Sequence, residues 1–518
     1  MSSQKKRILL LSMPNYAYGF DLAGRFPNLG LVSIAGNIDE DLIDDIAIVD
    51  LVIVRTDIKR YIINLLNKFQ PDIVGLSAIS FQYQTALEIA KIIKSESKNI
   101  FTVFGGYHVT LAYDLISESQ DINYIDYMIR GEGEGAFNKL IRAIIDGNSF
   151  AKIENLSYKQ NGVFIHNSRS SNLDLDNIRL PKRNIRLTSK YYFIGKKADV
   201  IETSRGCTMA CNFCCMPFMY GRTFRKYSID RIIKDIKIAK KNGAKALFIV
   251  DDNVFLDLKH INNVCDAIIK NNLNDIHYTI QASVRGIASD RKLVEKMAKA
   301  GFKLIFLGIE NILSANLDFL SKDKKNLTDS ELAIKYIQDN GMITAGGFIL
   351  GNPDDTEESF WSHFNFAKKM KLDMPVFFTI APHIKTELRK KLLQENLVTN
   401  INDYCFYDGL QVNVRTKTLS SEDISYLLMQ MNSNYTDWNY LKFNRIRKLY
   451  PKFFLKIIVK HLPKLLHNKL RNLFLRNAKF KNYKASRLRH CNRLKCWLLD
   501  REDKIMSHFD ELKIVEHD

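Results

Sequence analysis

Short apolar strands alternate with helical segments along most of the chain, and this alternation constrains the fold more than any other feature. Segments such as 85–93 place apolar residues at helical spacing between strand candidates at 7–13, 45–54, 72–79, 101–106, 124–130, 199–203, 246–250, 277–282, 304–309, 344–350 and 375–380. This order is typical of parallel sheets covered by helices. We therefore expect an α/β protein: a doubly wound, Rossmann-like domain followed by a partial (β/α)6 barrel of the TIM type.

A polar stretch interrupts the alternation and indicates where the domains divide. Residues 148–197 show no regular apolar period and contain the extended sequence Leu180-Pro181-Lys182-Arg183, which predicts an irregular linker. We predict an N-terminal domain over 1–147, a linker over 148–197, a barrel over 198–381, and a helical, basic C-terminal region over 382–518. At 518 residues, 46% of them hydrophobic, the chain is long enough for more than one core.

The positive charge of the chain is concentrated in one segment. Residues 442–496 contain 18 Lys and Arg residues and no Asp or Glu, so the rest of the chain carries only +1 of the formal net charge of +19. Lys452, Lys456, Lys460 and Lys464 lie four apart beside apolar residues, which predicts a basic helical stripe. Three interpretations stay open: peripheral contact with an anionic membrane, a nucleic-acid surface, or a helical cap with solvated lysines. Nucleic acid is the least favoured.

Polar residues and glycines follow several strands of the N-terminal domain. Ligands of doubly wound sheets bind beyond the carboxyl ends of the strands, where glycine lets the backbone approach a ligand closely. Each of these segments taken alone is equally typical of an ordinary tight turn. Together they predict a ligand site made of Ser77, Ser80, Gly105, Gly106, His108, Gly131 and Glu132.

The barrel strands end in residues that are also suited to binding. Chemistry in βα barrels takes place at the carboxyl ends of the strands. Arg285 can pair with a carboxylate, and Glu310 can accept hydrogen bonds from hydroxyl or ammonium groups. Singly these are typical of solvated charges at the start of a loop. Their recurrence on successive strands, together with Ser283 and Gly351, favours a binding site.

Three cysteines, Cys207, Cys211 and Cys214, follow the first barrel strand in the pattern C-x3-C-x2-C. This spacing lets three thiolates bind one iron–sulfur cluster and leaves a fourth metal position without a protein ligand. Structural zinc is disfavoured, because it usually takes four protein ligands and no second CxxC or HxxxH pair lies within the next fifty residues. A disulfide is disfavoured because eight cysteines are sparse in this chain and no secretory signal is present.

The cysteine motif resembles that of radical S-adenosylmethionine (radical SAM) enzymes, in which the fourth iron of a [4Fe–4S] cluster binds the amino and carboxylate groups of SAM. Phe213, just before the third cysteine, also fits that family's pattern. The resemblance implies a [4Fe–4S] cluster on the three cysteines. It also implies SAM contacts from Phe213, Ser283, Arg285, Glu310 and Gly351.

The N-terminal turns resemble the cobalamin-binding domain that precedes many radical SAM domains. The similar segments are the entry PNLGL at 27–31, the turn GGYH at 105–108 and the turn GEGE at 131–134. The resemblance implies cobalamin contacts from Ser77, Ser80, Gly105, Gly106, His108, Gly131 and Glu132. No Asp-x-His-x-x-Gly occurs in the chain, so the lower axial histidine of some cobalamin proteins is missing. A degenerate domain that binds no corrinoid is the alternative.

The resemblance implies a cobalamin-dependent radical SAM enzyme that methylates an unactivated carbon of a lipid-like or natural-product substrate. The basic segment 442–496, which suits a membrane surface, favours a lipid or an isoprenoid. An electron donor such as flavodoxin or ferredoxin would be its protein partner. The alternatives are cobalamin-dependent oxidation, cyclisation or rearrangement without methyl transfer, and, in another class, a non-enzymatic membrane or partner-binding protein on the same scaffold. RNA methylthiolation is disfavoured because enzymes of that family have an N-terminal domain with its own cysteine cluster, whereas residues 1–206 here contain no cysteine. No run of eighteen apolar residues predicts a membrane span, so we expect a cytoplasmic protein, membrane-associated if 442–496 binds lipid.

Overall fold

The computed structural model describes residues 5–14, 24–54, 57–170, 173–322, 327–456 and 458–459. Within these ranges the chain forms two large sheets and one two-stranded ribbon. Their strands are β1 Lys6–Ser12, β2 Gly24–Arg25, β3 Ile43–Asp50, β4 Ile73–Ser77, β5 Phe101–Gly105, β6 Tyr127–Ile129, β7 Leu156–Gln160, β8 Val163–His166, β9 Tyr192–Phe193, β10 Lys196–Ile201, β11 Ser204–Arg205, β12 Arg225–Lys226, β13 Ala246–Ile249, β14 His277–Ser283, β15 Phe302–Glu310, β16 Ile343–Leu350 and β17 Met374–Thr379.

Helices cover the sheets and connect their parallel strands, so the predicted α/β class is confirmed. They are α1 Leu29–Gly36, α2 Ile58–Phe69, α3 Tyr83–Glu96, α4 Tyr107–Ser117, α5 Glu134–Asp146, α6 Met216–Tyr220, α7 Ile229–Lys241, α8 Leu258–Lys270, α9 Val284–Ser289, α10 Arg291–Lys299, α11 Ser314–Phe319, α12 Leu327–Asp339, α13 Glu357–Lys369, α14 Glu387–Gln394, α15 Ser421–Tyr435, α16 Trp438–Phe443 and α17 Ile446–Leu449.

The N-terminal sheet has the strand order β3-β1-β4-β5-β6-β7-β8, and its first five strands are parallel. Alternate residues of each parallel strand face opposite sides of the sheet. Leu10 and its neighbours on one face pack against α1 and α5, whereas Leu9 and Leu11 on the other face pack against α2, α3 and α4. Both faces are therefore buried, which explains the continuous apolar runs of these strands.

The predicted linker is less irregular than expected. Residues 148–197 contain the antiparallel hairpin β7–β8, which extends the N-terminal sheet, and β9, which pairs with β10. The hairpin turns at Asn161 and Gly162, whose φ angles of 53° and 82° suit a tight turn between twisted strands. An Asn-Gly pair is a strong hairpin signal, so the description of the whole stretch as irregular was wrong.

The second sheet forms the partial barrel. Its order is β17-β16-β15-β14-β13-β10-β9-β2, and the six strands from β10 to β17 are parallel. These are the six predicted barrel strands, and the sheet stays open rather than closing. The side chain of Asp290 caps α10 by accepting from the Leu293 N–H at 2.9 Å.

The described start of the basic segment packs on the barrel. Ile446, Tyr450 and Phe454 are buried against residues of β15 and β16, while Leu455 and Val459 are more than 60% exposed. This arrangement agrees with a helical cap for residues up to 459. The remainder of the predicted membrane-contact segment 442–496 lies outside the described residues. Among the described helices, none has the length and apolar character needed to cross a membrane.

Candidate active site at the ends of the two sheets

A first cavity lies at the carboxyl edge of the N-terminal sheet and has a volume of ≈ 340 Å³. Its walls come from the segments after β4, β5 and β6, from α1, and from side chains of the barrel domain. Five residues predicted to contact cobalamin line it: Ser77, Gly105, Gly106, Gly131 and Glu132. Ligand cavities span roughly 300–1,000 Å³, so this one suits a part of a corrinoid rather than the whole molecule.

Two glycines shape this cavity. Gly106 has φ +94°, and a Cβ there would lie 2.7 Å from the carbonyl oxygen of Ala78, so the turn after β5 requires glycine. At Gly105 a Cβ would have only the carbonyl oxygen of Ile129 nearby, at 3.9 Å. The absent side chain thus leaves room beside the backbone, and this cradle fits a bulky ligand that packs against the sheet edge.

The structure places the other two predicted cobalamin contacts elsewhere. Ser80 is buried and lines the second cavity. His108 lines neither of the two cavities; its ring centroid lies 4.3 Å from that of Tyr83 and 5.1 Å from that of Tyr404. Burial, with a smaller contribution from His383, lowers the pKa of His108 to about 3, so this imidazole is neutral at physiological pH. His108 is therefore a packed interior residue.

Glu132 lines the first cavity, but its carboxylate is already bound within the protein. It accepts from Arg205 at 2.6 Å, from Arg225 at 3.1 Å and from the Leu173 N–H at 2.8 Å. Arg205 lies in the barrel domain two residues before the first motif cysteine, and sequence reasoning did not identify it. Its only signal is its place in the segment Ser204-Arg205-Gly206-Cys207.

The second cavity has a volume of ≈ 720 Å³ and lies at the carboxyl ends of the barrel strands. It brings together most of the residues predicted for the cluster and SAM, namely Cys207, Cys211, Phe213, Cys214, Ser283 and Glu310. The two cavities have four lining residues in common: Ile79, Tyr107, Val250 and Asp252. The two candidate ligand sites therefore share a wall.

Backbone hydrogen bonds hold the cysteine loop against the barrel. The Asn212 N–H donates to the carbonyl of Leu320 at 3.2 Å, and the Leu388 N–H donates to the carbonyl of Asn212 at 3.1 Å. All three motif cysteines are free thiols that line one cavity, which is the donor set that an iron–sulfur cluster with one open iron requires. In the part of the chain described, no three His, Cys, Asp or Glu side chains are arranged to hold a single metal ion.

Two of the residues predicted to contact SAM lie outside the second cavity. Arg285 is exposed on α9, and Gly351 is buried with its N–H donating to Asp355 at 3.0 Å. Ser283 lines the cavity, but its hydroxyl caps α9 by accepting from the Gly286 N–H at 3.2 Å. The position of Arg285 gives no support to its predicted pairing with the methionine carboxylate.

Glu310 sits at an irregular point at the end of β15 and pairs with a lysine that sequence reasoning missed. Its φ of 58° is left-handed, which is uncommon for a residue with a side chain and often occurs at functional sites. Its carboxylate accepts from Lys322 Nζ at 3.0 Å, and Lys322 Nζ lies 5.9 Å from the ring centre of Phe213. Burial opposes the charge on Lys322, yet Glu310 raises the pKa of Lys322 above its ordinary value. Lys322 is thus a charged group beside the cysteine motif.

Two adjacent aspartates follow β13 and differ in role. Asp251 accepts from the Thr203 N–H at 2.7 Å, from the Thr203 hydroxyl, and from the Ser204 hydroxyl at 2.7 Å, so it joins neighbouring strands. Asp252 accepts from the Gly206 N–H at 2.7 Å and lines both cavities. Burial raises the pKa of Asp251 to about 7 and that of Asp252 to about 6.

Comparisons with known proteins agree with this architecture. Residues 17–141 match the B12 binding domain, and residues 201–367 match the Radical SAM superfamily. An uncharacterised methyltransferase of Pyrococcus horikoshii is 30% identical to the chain over 455 residues, which are 86% of this chain and 93% of the relative. The chain belongs to the cobalamin-dependent radical SAM methyltransferase family. This radical SAM enzyme has a [4Fe–4S] cluster, SAM and cobalamin as its cofactors.

Two further similarities concern one relative and one solved structure. The anaerobic magnesium-protoporphyrin IX monomethyl ester cyclase of Rubrivivax gelatinosus is 27% identical over 410 residues, 77% of this chain and 72% of the cyclase. The radical SAM methyltransferase TsrM of Kitasatospora setae, solved with cobalamin and a [4Fe–4S] cluster, aligns with a TM-score of 0.62 at 16% identity, covering 75% of this chain and 78% of TsrM. At that identity the likeness shows a shared fold. The family, fold class and cofactors predicted from the sequence are confirmed; the residues that hold each cofactor stay predictions.

Proposed function

We propose that this enzyme transfers a methyl group to an unactivated carbon of a largely apolar, lipid-like substrate that carries no phosphate or carboxylate. The observation that carries the proposal is the shared wall of the two cavities. When bound, the cluster and SAM supply hydrogen abstraction and the corrinoid supplies a methyl group. A substrate at the wall lies within reach of both sites, and such juxtaposition is the main contribution a protein makes to cofactor chemistry.

The chain's own residues bind and orient the groups in the second cavity. Cys207, Cys211 and Cys214 would hold the cluster, and Lys322 is placed to pair with the methionine carboxylate of SAM. Glu310 would hold Lys322 in position and accept from hydroxyl groups. The family resemblance assigned the carboxylate to Arg285, but Lys322 lines the cavity and Arg285 does not.

The charges of the second cavity disfavour an anionic substrate. Among its described lining residues no arginine occurs, and the one lysine, Lys322, is already assigned to Glu310 and to the methionine carboxylate of SAM. Burial and then Arg389 lower the pKa of the lining residue His383 to about 4, so it adds no positive charge. A phosphate or carboxylate on the substrate would lose hydration here without gaining a partner. Apolar lining side chains, among them Phe81, Leu111, Phe378 and Ile380, suit hydrocarbon instead.

A labelled methyl donor tests the proposal. Reconstituted enzyme is incubated anaerobically with SAM carrying a trideuterated methyl group and with apolar or polar metabolite extracts, and products are followed by mass spectrometry. We expect an apolar compound to gain one deuterated methyl group. Alanine variants of Cys207, Cys211 or Cys214 should lose iron and product together, whereas Cys265→Ala, at a buried position of α8 away from both cavities, should keep both. A product that gains no methyl group contradicts the proposal.

Cyclisation or oxidation without methyl transfer is the second candidate, favoured by the 27% identity to the cyclase. The same experiment separates the two reactions. Cyclisation gives a product that has lost hydrogen and contains no deuterium from SAM, and its yield does not depend on the methyl label.

We also propose the protein partners and membrane contact predicted from the sequence. The cysteine loop exposes Thr208 and Ala210, which gives an electron donor such as flavodoxin or ferredoxin a short path to the cluster. Flotation of the full chain with anionic and with neutral vesicles tests membrane contact through 442–496. Binding that requires anionic lipid supports it, and the absence of binding to both vesicles contradicts it.

A further inference from the structure

A buried ionic network joins the N-terminal domain to the cysteine loop. Arg205 lies 2.6 Å from Glu132, 3.1 Å from Glu134 and 2.9 Å from Glu202, measured between guanidinium nitrogen and carboxylate oxygen. Arg225 adds a second contact to Glu132 at 3.1 Å. The side chains of Arg205, Glu132 and Glu134 are all less than 10% exposed. One guanidinium therefore holds carboxylates from both domains out of water.

The network is connected to the cluster loop through a single, tightly held residue. Arg205 ends β11, and only Gly206 separates it from Cys207. Gly206 has φ +90°, its N–H donates to Asp252 at 2.7 Å, and a Cβ on it would collide with the carbonyl oxygen of Thr223. A shift of Arg205 is therefore passed on to Cys207, because the single residue between them is fixed on both sides.

The network is equally close to the first cavity. Glu132 lies between Gly131 and Gly133, and all three line that cavity. Glu134 begins α5 and accepts from the Ser33 hydroxyl of α1 at 2.8 Å. Burial opposes its charge, yet Arg205 and these hydrogen bonds keep the pKa of Glu134 below its ordinary value. Glu132 and Glu134 thus connect the wall of the first cavity, the candidate corrinoid cavity, to Arg205.

Buried ion pairs contribute little net stability compared with apolar residues, but their geometry can select one arrangement of the parts they join. We propose that Arg205 is a positioning residue that fixes the spacing between the corrinoid cavity and the cluster loop. This rests on the proposed function in one respect, that both cofactors act on one substrate at the shared wall. The network serves to hold the two sites in register, and Glu132 acts through Arg205 rather than as a cobalamin ligand.

Arg205→Lys tests the proposal because an ammonium group cannot reproduce the planar contacts of a guanidinium to several carboxylates. The matched control is Arg183→Lys: Arg183 is as deeply buried and pairs with Asp199 and Asp235, yet it contacts neither cavity. In the loaded enzyme, pulsed EPR measures the distance between the reduced cluster and cob(II)alamin. We expect one narrow distribution in the wild type and in the control, and a broader or shifted distribution in Arg205→Lys.

Hydrogen exchange of the cofactor-free chain gives a second readout that does not depend on the proposed function. We expect the amides of residues 206–214 to exchange about tenfold faster in Arg205→Lys than in the wild type, and Arg183→Lys to leave them unchanged. Glu134→Gln, which keeps the shape and removes one charge, should give a smaller change in the same direction and replaces Arg205→Lys if that variant does not fold. Exchange and distance distributions equal to the wild type in these variants would overturn the proposal. A wild type that binds no corrinoid would refute the proposed function, but the exchange test of Arg205 in the cofactor-free chain would still apply.

Discussion

Gly206→Ala is a sharp test of how the cluster loop is built. The alanine at position 206 would have to keep φ near +90°, which costs a residue with a side chain about 1–3 kcal/mol. It would also collide with the Thr223 carbonyl, whose movement disturbs the two-residue pairing of β11 with β12. Losing one or two of these hydrogen bonds adds about 0.5–1.5 kcal/mol each. We expect Gly206→Ala to lower the free energy of unfolding by roughly 2–6 kcal/mol and to reduce iron content after reconstitution.

Gly221→Ala is the matched control for this prediction. Gly221 has φ +68°, but a Cβ there would have no atom within 4 Å, so only the backbone cost of about 1–3 kcal/mol applies. The urea midpoint of the cofactor-free chain and the iron bound per chain are measured for both variants. We expect Gly221→Ala to keep full iron loading. Equal losses of midpoint and of iron in the two variants would refute the claim that contact with Thr223 shapes the loop.

Two further predictions concern charge and pH. Lys322→Met should weaken SAM binding about tenfold to a hundredfold, because one charge-assisted hydrogen bond is lost. Lys322→Arg should recover part of the lost affinity. A Kd for SAM that equilibrium dialysis finds unchanged in Lys322→Met would contradict the assignment of Lys322. The buried, neutral His108 has its pKa lowered from 6.5 to about 3, so the unfolded chain binds more protons and the free energy of unfolding falls as the pH drops from 6.5 towards 3. His108→Gln should show a smaller drop in urea midpoint between pH 7 and 5 than the wild type, and an identical drop would show that His108 does not titrate in this way.

The sequence predicted the strands well because parallel strands buried on both faces leave uninterrupted apolar runs. The segment 101–106 corresponds to β5 at Phe101–Gly105, and 344–350 corresponds to β16 at Ile343–Leu350. The prediction failed where the signal was local rather than periodic. The β7–β8 hairpin lies in a polar stretch, and its Asn-Gly turn was the only clear sign of it.

The candidate site was predictable where its residues are neighbours in sequence or end a strand. The three cysteines lie within eight residues of each other, and Glu310 ends β15. Position in sequence does not give the direction of a side chain, so Arg285 was expected in the cavity from which it is absent. Lys322 and Arg205 could not be assigned because their roles depend on partners brought together by folding. Lys322 stands in a run of lysines that resembles a solvated loop.

The two cavities depend on both sheets, so neither domain alone can supply a complete site. The shared wall takes Ile79 from the N-terminal domain and Asp252 from the barrel. The sheets are themselves interleaved, because β2 lies in the N-terminal part of the chain and pairs with β9 in the barrel sheet. Transfer between two cofactors requires their reacting groups to lie within a few ångströms of one carbon. Arg205 links the two domains, so its substitution is expected to impair coupling between the cofactors before it impairs the folding of either domain.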